Sequence, residues 1–273
     1  MRRILRRRSA RLMALEKKHM KVSGKLLEGR VAVITGAARK RGIGLATARL
    51  FAEHGARVAL LDLDENESMQ AARDVGTEHI GIGCDVSDPA ACRTAASRAM
   101  DWAGRIDVLV NNAGMTQRAG IMDITAEDYE RITSIILKGT LQMSQCVIPH
   151  MVAQGEGSLV HISSMSAQQG GGVFGGGHYC AAKAGVLGLS RAIAKEFGPK
   201  GIRSNTITPG LILTDFSRGA TTDESKHERA REFPLARIGQ PMDIAGACLY
   251  LASDLSAFMT GATLDVNGGA YMR

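Results

Sequence analysis

Tyr179 and Lys183 stand four residues apart in HYCAAKAGVLGLSRAIAKEF, a run whose apolar residues recur at helical spacing. On a helix that interval puts the phenol and the ammonium on one face. A free tyrosine titrates near ~10, too high to exchange protons readily at neutral pH. A neighbouring ammonium stabilises the phenolate, so the pair is suited to giving a proton to an oxygen or taking one from it. Directly before the pair comes a run with six glycines in eight residues, Gly170 to Gly177. Ordering such a run is costly, so its glycines point to close backbone approach around an open pocket. Val173, Phe174 and His178 are the side chains there that can select a substrate, with His178 read as exposed.

A second chemical signature lies near the start, in VAVITGAARKRGIGLATA. An apolar strand leads through Gly36, Gly42 and Gly44, with Arg41 and Ile43 between them, into a helical pattern. Glycines let the backbone approach a pyrophosphate, and a helix N-terminus offers amide donors and the positive end of its dipole. Asp62 ends the next strand, placed to accept from adenosine ribose hydroxyls and to repel a 2′-phosphate. Arg39, Lys40 and Arg41 pull the other way, since they can meet that phosphate. The balance favours NAD over NADP.

The elements that must position these groups recur along the chain. Short β-branched or apolar runs lie at 30–35, 57–62, 79–84, 106–111, 158–163, 202–208 and 262–266, and helical patterns separate most of them. Near-continuous apolar strands alternating with helices predict a parallel sheet covered on both faces. The expected fold is α/β: one doubly wound Rossmann-fold domain with a roughly seven-stranded parallel sheet over 26–273.

Composition agrees with a single large globular domain, at 273 residues, 45% hydrophobic and 22% charged. No apolar run reaches the roughly 18 residues of a membrane span. Cys84, Cys92, Cys146, Cys180 and Cys248 are scattered and form no C-x-x-C pair, the pattern of reduced thiols in a cytoplasmic protein without a metal site. The net charge of +7 is concentrated at one end: residues 1–25 hold ten of the 34 basic residues and one of the 27 acids. The folded part is therefore close to neutral, which argues against nucleic acid as its partner. Residues 1–25 read as a disordered basic extension.

Taken together, TGAARKRGIG (35–44), CDVSD (84–88), NNAG (111–114), YCAAK (179–183), NTITPG (205–210) and DVNGG (265–269) resemble the short-chain dehydrogenase/reductase family, nearest to its 3-oxoacyl-[acyl-carrier-protein]-reductase-like group. The resemblance covers residues 26 to about 271. It implies that Asp85 and Val86 hold the adenine and that Asn112, Ala113 and Gly114 form the turn beside the ribose. It also implies that Ile212 and Thr214 clasp the nicotinamide carboxamide, and that Tyr179 and Lys183 contact the cofactor as well as catalyse. Ser164, the second serine of the I-S-S register ending SLVHISS, then hydrogen-bonds the reacting oxygen, with Ser163 and Ser166 as neighbours that can be mistaken for it. The implied activity is interconversion of a secondary alcohol and a ketone, on a small-molecule substrate, in a homotetramer or dimer. Apolar residues at 132, 135, 137, 141, 143, 147, 187, 189 and 193 exceed what one sheet face can cover, so some are expected to face a symmetry mate.

Two departures from the family pattern stand out. The phosphate turn has five residues between Gly36 and Gly42 where the pattern has three, so part of ARKR must bulge outward. Ile136 occupies the place of an asparagine that kinks its helix and anchors a water in a proton relay, and an isoleucine is expected to do neither. That loss keeps open an alternative, a nucleotide-binding regulatory or structural protein of feeble activity. The intact Ser164, Tyr179 and Lys183 favour the enzyme.

Overall fold

A computed structural model describes residues 24–171, 175–217 and 222–272. The basic extension expected over 1–25 falls almost wholly outside them, as do Val173 and Phe174. Seven strands form one parallel sheet: β1 (Val31–Thr35), β2 (Arg57–Asp62), β3 (Ile80–Gly83), β4 (Val108–Asn111), β5 (Gly157–Ile162), β6 (Ile202–Pro209) and β7 (Thr263–Val266). Their order is β3-β2-β1-β4-β5-β6-β7. Every expected strand is present, with ends within two residues of the apolar runs.

Chemistry at the chain level accounts for the helix boundaries. α1 (Ile43–Glu53) starts at Gly42 with no side-chain cap and no acid in its first turn. By contrast, Asp64 caps α2 (Glu65–Val75) by accepting from the Glu67 amide, and Asp88 caps α3 (Pro89–Ala103) by accepting from Ala90. Thr125 caps α4 (Ala126–Thr133), which runs through a π-helical turn, Ser134–Lys138, into α5 (Gly139–Gln154). A single-turn helix α6 (Ser166–Gln169) precedes the long α7 (Gly177–Phe197). α8 (Asp223–Ala230) and α9 (Pro241–Ala252) complete the set.

Two apolar clusters sandwich the sheet. On one face Leu45, Phe51, Ile244 and Cys248 from α1 and α9 meet Ile34, Leu60 and Val160. On the other, Cys92, Ala95, Met143, Val147 and Ile193 from α3, α5 and α7 meet Val33, Leu61 and Leu109. Burial on both faces is the reason β1, β2 and β4 read as near-continuous apolar runs rather than alternating ones. Of the apolar residues expected to face a symmetry mate, Ile132, Met143, Val147, Leu187 and Ile193 are buried within the protomer, while Leu141 is exposed. One protomer thus hides more of them than the sequence suggests, because α4, the π turn and α7 form a third cluster beside the site. No helix among the described residues is long and apolar enough to cross a membrane.

Candidate active site

Loops leaving the carboxyl ends of the strands line one cleft, at the point where strand order reverses between β1 and β4. Gly36, Gly42 and Ile43 come from the turn between β1 and α1, Asp62 from the end of β2, and Asp85 and Val86 from beyond β3. Asn112, Ala113 and Gly114 follow β4, Ser164 follows β5, and Ile212 and Thr214 follow β6. Tyr179 and Lys183 enter from the first two turns of α7.

The phosphate turn is fixed by sterics. Gly36 has φ +65°, and a Cβ there would meet Ala113 Cα at 2.9 Å. The Asn112 side chain braces the same turn, donating to the carbonyl oxygens of Thr35 at 2.9 Å and Gly36 at 2.8 Å. Gly44 is buried, and its Cβ would come 2.5 Å from the Gly36 oxygen. It therefore packs the turn and does not line the cleft. Arg41 is also absent from the lining: its guanidinium turns to Asp223 at 2.7 Å and Asp215 at 3.5 Å. Arg39, named with Lys40 and Arg41 as able to meet a 2′-phosphate, lines the cleft instead. Asp62 accepts from the Ala38 amide at 2.9 Å and from its neighbour Leu63 at 2.9 Å, which holds its carboxylate at the cleft wall.

At the other end three side chains converge. Tyr179 stands near enough to Ser164 for the serine to favour its phenolate, and Lys183 Nζ lies 5.9 Å from the centre of the Tyr179 ring. Lys183 is buried and donates to the Ile162 carbonyl oxygen at 2.7 Å. Ser163, the neighbour most easily confused with Ser164, is buried with its hydroxyl donating to the Lys183 carbonyl at 2.7 Å. Burial pushes the Tyr179 phenol up to about 12, against the pull of Ser164, and pushes Lys183 down to about 8. Desolvation is the largest cause at both side chains.

The glycine run has a clear steric role. A Cβ on Gly175 would fall 2.3 Å from Tyr179 Cδ1, so the ring lies directly on that backbone. Two further corrections belong here. His178 is buried, not exposed, and its Nε2 pairs with Gln117 Oε1 at 3.2 Å, while burial holds its ring below the usual histidine range. The second concerns Ile136. The helix ladder is broken at this residue despite the missing asparagine, since Gly139 donates its amide back to Ser134 in the π turn. Gly139 lies against Val86, where a Cβ would come within 2.8 Å, and Thr140 Oγ1 donates to the Ile136 carbonyl at 2.7 Å. The Ile136 side chain is buried with Ile132, Tyr179 and Val186, closing the back of the site with hydrocarbon.

The substrate end carries residues that the sequence reading missed. Thr116, Met165, Gln169, Phe216 and Phe233 line it, with the Phe216 ring 6.4 Å from that of Tyr179. Met165, at the N-cap, and Gln169 belong to α6, while Thr116, Phe216 and Phe233 come from separate segments, so no sequence pattern marks the set.

A family model described as enoyl-(acyl carrier protein) reductase matches residues 36–271. An uncharacterized short-chain type dehydrogenase/reductase of Sinorhizobium fredii is 51% identical, covering 89% of this chain and 98% of that one. A 3-oxoacyl-[acyl-carrier-protein] reductase of Vibrio cholerae is 36% identical over 90% of this chain and 99% of its own length. The crystal structure of a short-chain type dehydrogenase/reductase from Mycobacterium marinum superimposes with a TM-score of 0.84 at 32% identity, covering 90% of this chain and 97% of that one. The chain belongs to the short-chain dehydrogenase/reductase family, whose members are NAD(P)-dependent oxidoreductases acting on CH–OH groups.

Proposed function

We propose that this protein interconverts a secondary alcohol and a ketone on a small molecule, with NAD as its hydride carrier. The observation carrying this reading is the meeting of Ser164, Tyr179 and Lys183 at one end of a cleft whose other end is a glycine-rich helix N-terminus. A dinucleotide suits the lining on chemical grounds. The uncapped amides of α1 face phosphate across Gly36, Gly42 and Ile43, and Asp62 offers a carboxylate to ribose hydroxyls. Asp85 and Val86 would border the adenine, Asn112 to Gly114 the ribose, and Ile212 and Thr214 the carboxamide. When bound, the nicotinamide supplies or accepts the hydride.

The chain's own groups handle the oxygen and its proton. Ser164 donates to the substrate oxygen and holds it beside Tyr179. In reduction Tyr179 gives up its phenolic proton to that oxygen, and in oxidation it takes one. Lys183 steadies the phenolate that reduction leaves, its ammonium held in place by the Ile162 carbonyl. Tyr179→Phe is expected to cut turnover by ~10²–10⁴-fold while leaving cofactor affinity intact, because only the proton donor is removed. Measuring turnover on an alcohol and ketone panel, with cofactor binding by fluorescence, tests this. A phenylalanine variant as active as the wild type defeats the proposal. Such activity would also set aside the reading as a mere nucleotide-binding scaffold, which nothing in the site favours.

The preference for NAD rests on Asp62 at the cleft wall and on Arg41, whose charge is met by Asp215 and Asp223. Tighter binding of NADPH than NADH by the wild type would show that Arg39 outweighs Asp62. Assembly into a dimer or tetramer through α5 and α7 is part of the same proposal, and light scattering that finds a monomer at micromolar concentration refutes it.

A further inference from the structure

Lys226 is a lysine that the reaction does not use, yet only 2% of its surface is exposed. A buried ammonium is retained only where partners repay its desolvation. Two are present. Nζ donates to the carbonyl oxygen of Thr214 at 3.0 Å, and Asp223 Oδ1 lies 3.6 Å away. Asp223 in turn meets Arg41 through its other oxygen at 2.7 Å. Arg41 belongs to the phosphate turn, 182 residues distant in sequence, and its second nitrogen reaches Asp215 at 3.5 Å. The polar path therefore runs from the phosphate turn, through the first turn of α8, to the segment that closes the opposite end of the cofactor cleft.

We propose that Arg41, Asp223 and Lys226 form a strap across the rim of the cleft, in which Lys226 is a positioning residue for Thr214 and so for the nicotinamide half of the cofactor. The inference rests on the reading of the cleft as a dinucleotide site and adds a division of labour to it. From within its own turn, Thr214 is held by its amide donating to Ile212 at 2.9 Å and by its hydroxyl accepting from Phe216 at 3.3 Å. Neither bond fixes the carbonyl. Lys226 does, and a charge-assisted bond is the stronger kind. With that carbonyl anchored, the peptide plane after Thr214 is set and the side chain faces the cleft. The strap also gives the two extra residues of the phosphate turn a use, since they extend the turn far enough for Arg41 to reach α8.

ADP-ribose, which has the adenine, both riboses and the pyrophosphate but no nicotinamide, separates the two halves. NADH and ADP-ribose are titrated into the full-length wild type and into Lys226→Met, Lys226→Arg and Asp223→Asn. Loss of a hydrogen bond to a charged group is expected to weaken NADH binding to Lys226→Met by about tenfold, with ADP-ribose affinity within about twofold of wild type. Lys226→Arg should recover much of the loss. Asp223→Asn, at a half-exposed position that tolerates change, should weaken NADH by a few-fold and spare ADP-ribose, and it carries the test if Lys226→Met does not fold. Equal weakening of both ligands, or of neither, overturns the strap as a positioning device. A wild type that binds neither ligand defeats the cofactor reading itself, a result no strap variant can mimic.

Discussion

Replacing Gly175 with alanine gives a sharp test of how the reactive tyrosine is held. The new Cβ would lie 2.3 Å from Tyr179 Cδ1, 2.9 Å from Cγ and 3.1 Å from Cε1. Ordinary contact begins at 3.4 Å, so ring and backbone must separate by about 1 Å. The ring has little room to yield. It is 7% exposed, packed by Ile132, Ile136, Ala182 and Val186, with Phe216 beyond. Its near atoms are the ones struck, so a rotation about Cβ carries the hydroxyl away from Ser164. Misplacing a reacting group by about 1 Å costs on the order of 10²-fold in rate, which is the expected fall in kcat for Gly175→Ala. Cofactor affinity should hardly change, since Gly175 does not line the cleft. Gly188→Ala is the control: it sits on α7 with nothing within 4 Å of the added atom, and should leave kcat unchanged. Steady-state turnover at saturating cofactor, with fluorescence titration of NADH, measures both effects. A Gly175→Ala enzyme within about threefold of wild type would refute the claim that the glycine run seats the ring.

Two other expectations follow from burial. Ile136→Asn places an amide among Ile132, Tyr179 and Val186, and should lower the unfolding free energy by about 1–3 kcal/mol, read as a shift in urea midpoint. The same variant tests the proton path: faster turnover with an altered solvent isotope effect would show that an anchored water was missing. His161 is fully buried between Asn111 Nδ2 at 3.1 Å and Ser204 Oγ at 3.0 Å, and burial pushes its imidazole down to about 4. The unfolded chain takes up this proton near 6.5 and the folded chain does not, so stability should fall as pH drops through the window from 6.5 to 4. His161→Gln should flatten that limb of a denaturation-against-pH curve, and an unchanged slope would show that other groups set it.

Much of the architecture was legible because its cause is local. Strands buried on both faces read as apolar runs, so those at 30–35 and 57–62 announce themselves. The i, i+4 spacing of Tyr179 and Lys183 likewise survives folding because one helix holds both. What sequence could not show depends on partners far along the chain. Arg41 reads as a phosphate ligand until Asp223 is brought to it, and Gly44 as a cradle until Asn112 and the Gly36 carbonyl fill the space beside it. His178 looks exposed beside so many glycines, but Gln117 folds over it. The π turn at 134–138 has no composition of its own; its hydrogen-bond register is set in three dimensions, where Gly139 meets Val86.

The last strand has a bearing on when this protein can first work. The segment after β6 that carries Ile212 and Thr214 leans on the end of the chain: the Gly210 amide donates to Val266 at 3.1 Å, and a Cβ on Gly210 would strike Asn267 at 2.7 Å. Asn205 donates to Met259 and accepts from the Ala262 amide. A polypeptide emerging from the ribosome therefore synthesises its phosphate turn first and lacks the far wall until β7 has followed. Non-local closure of this kind is slow and comes late. Gain of activity during translation or refolding should thus be a single late event, trailing the recovery of helical signal, and chains stopped short of β7 should be inert however well their first half folds.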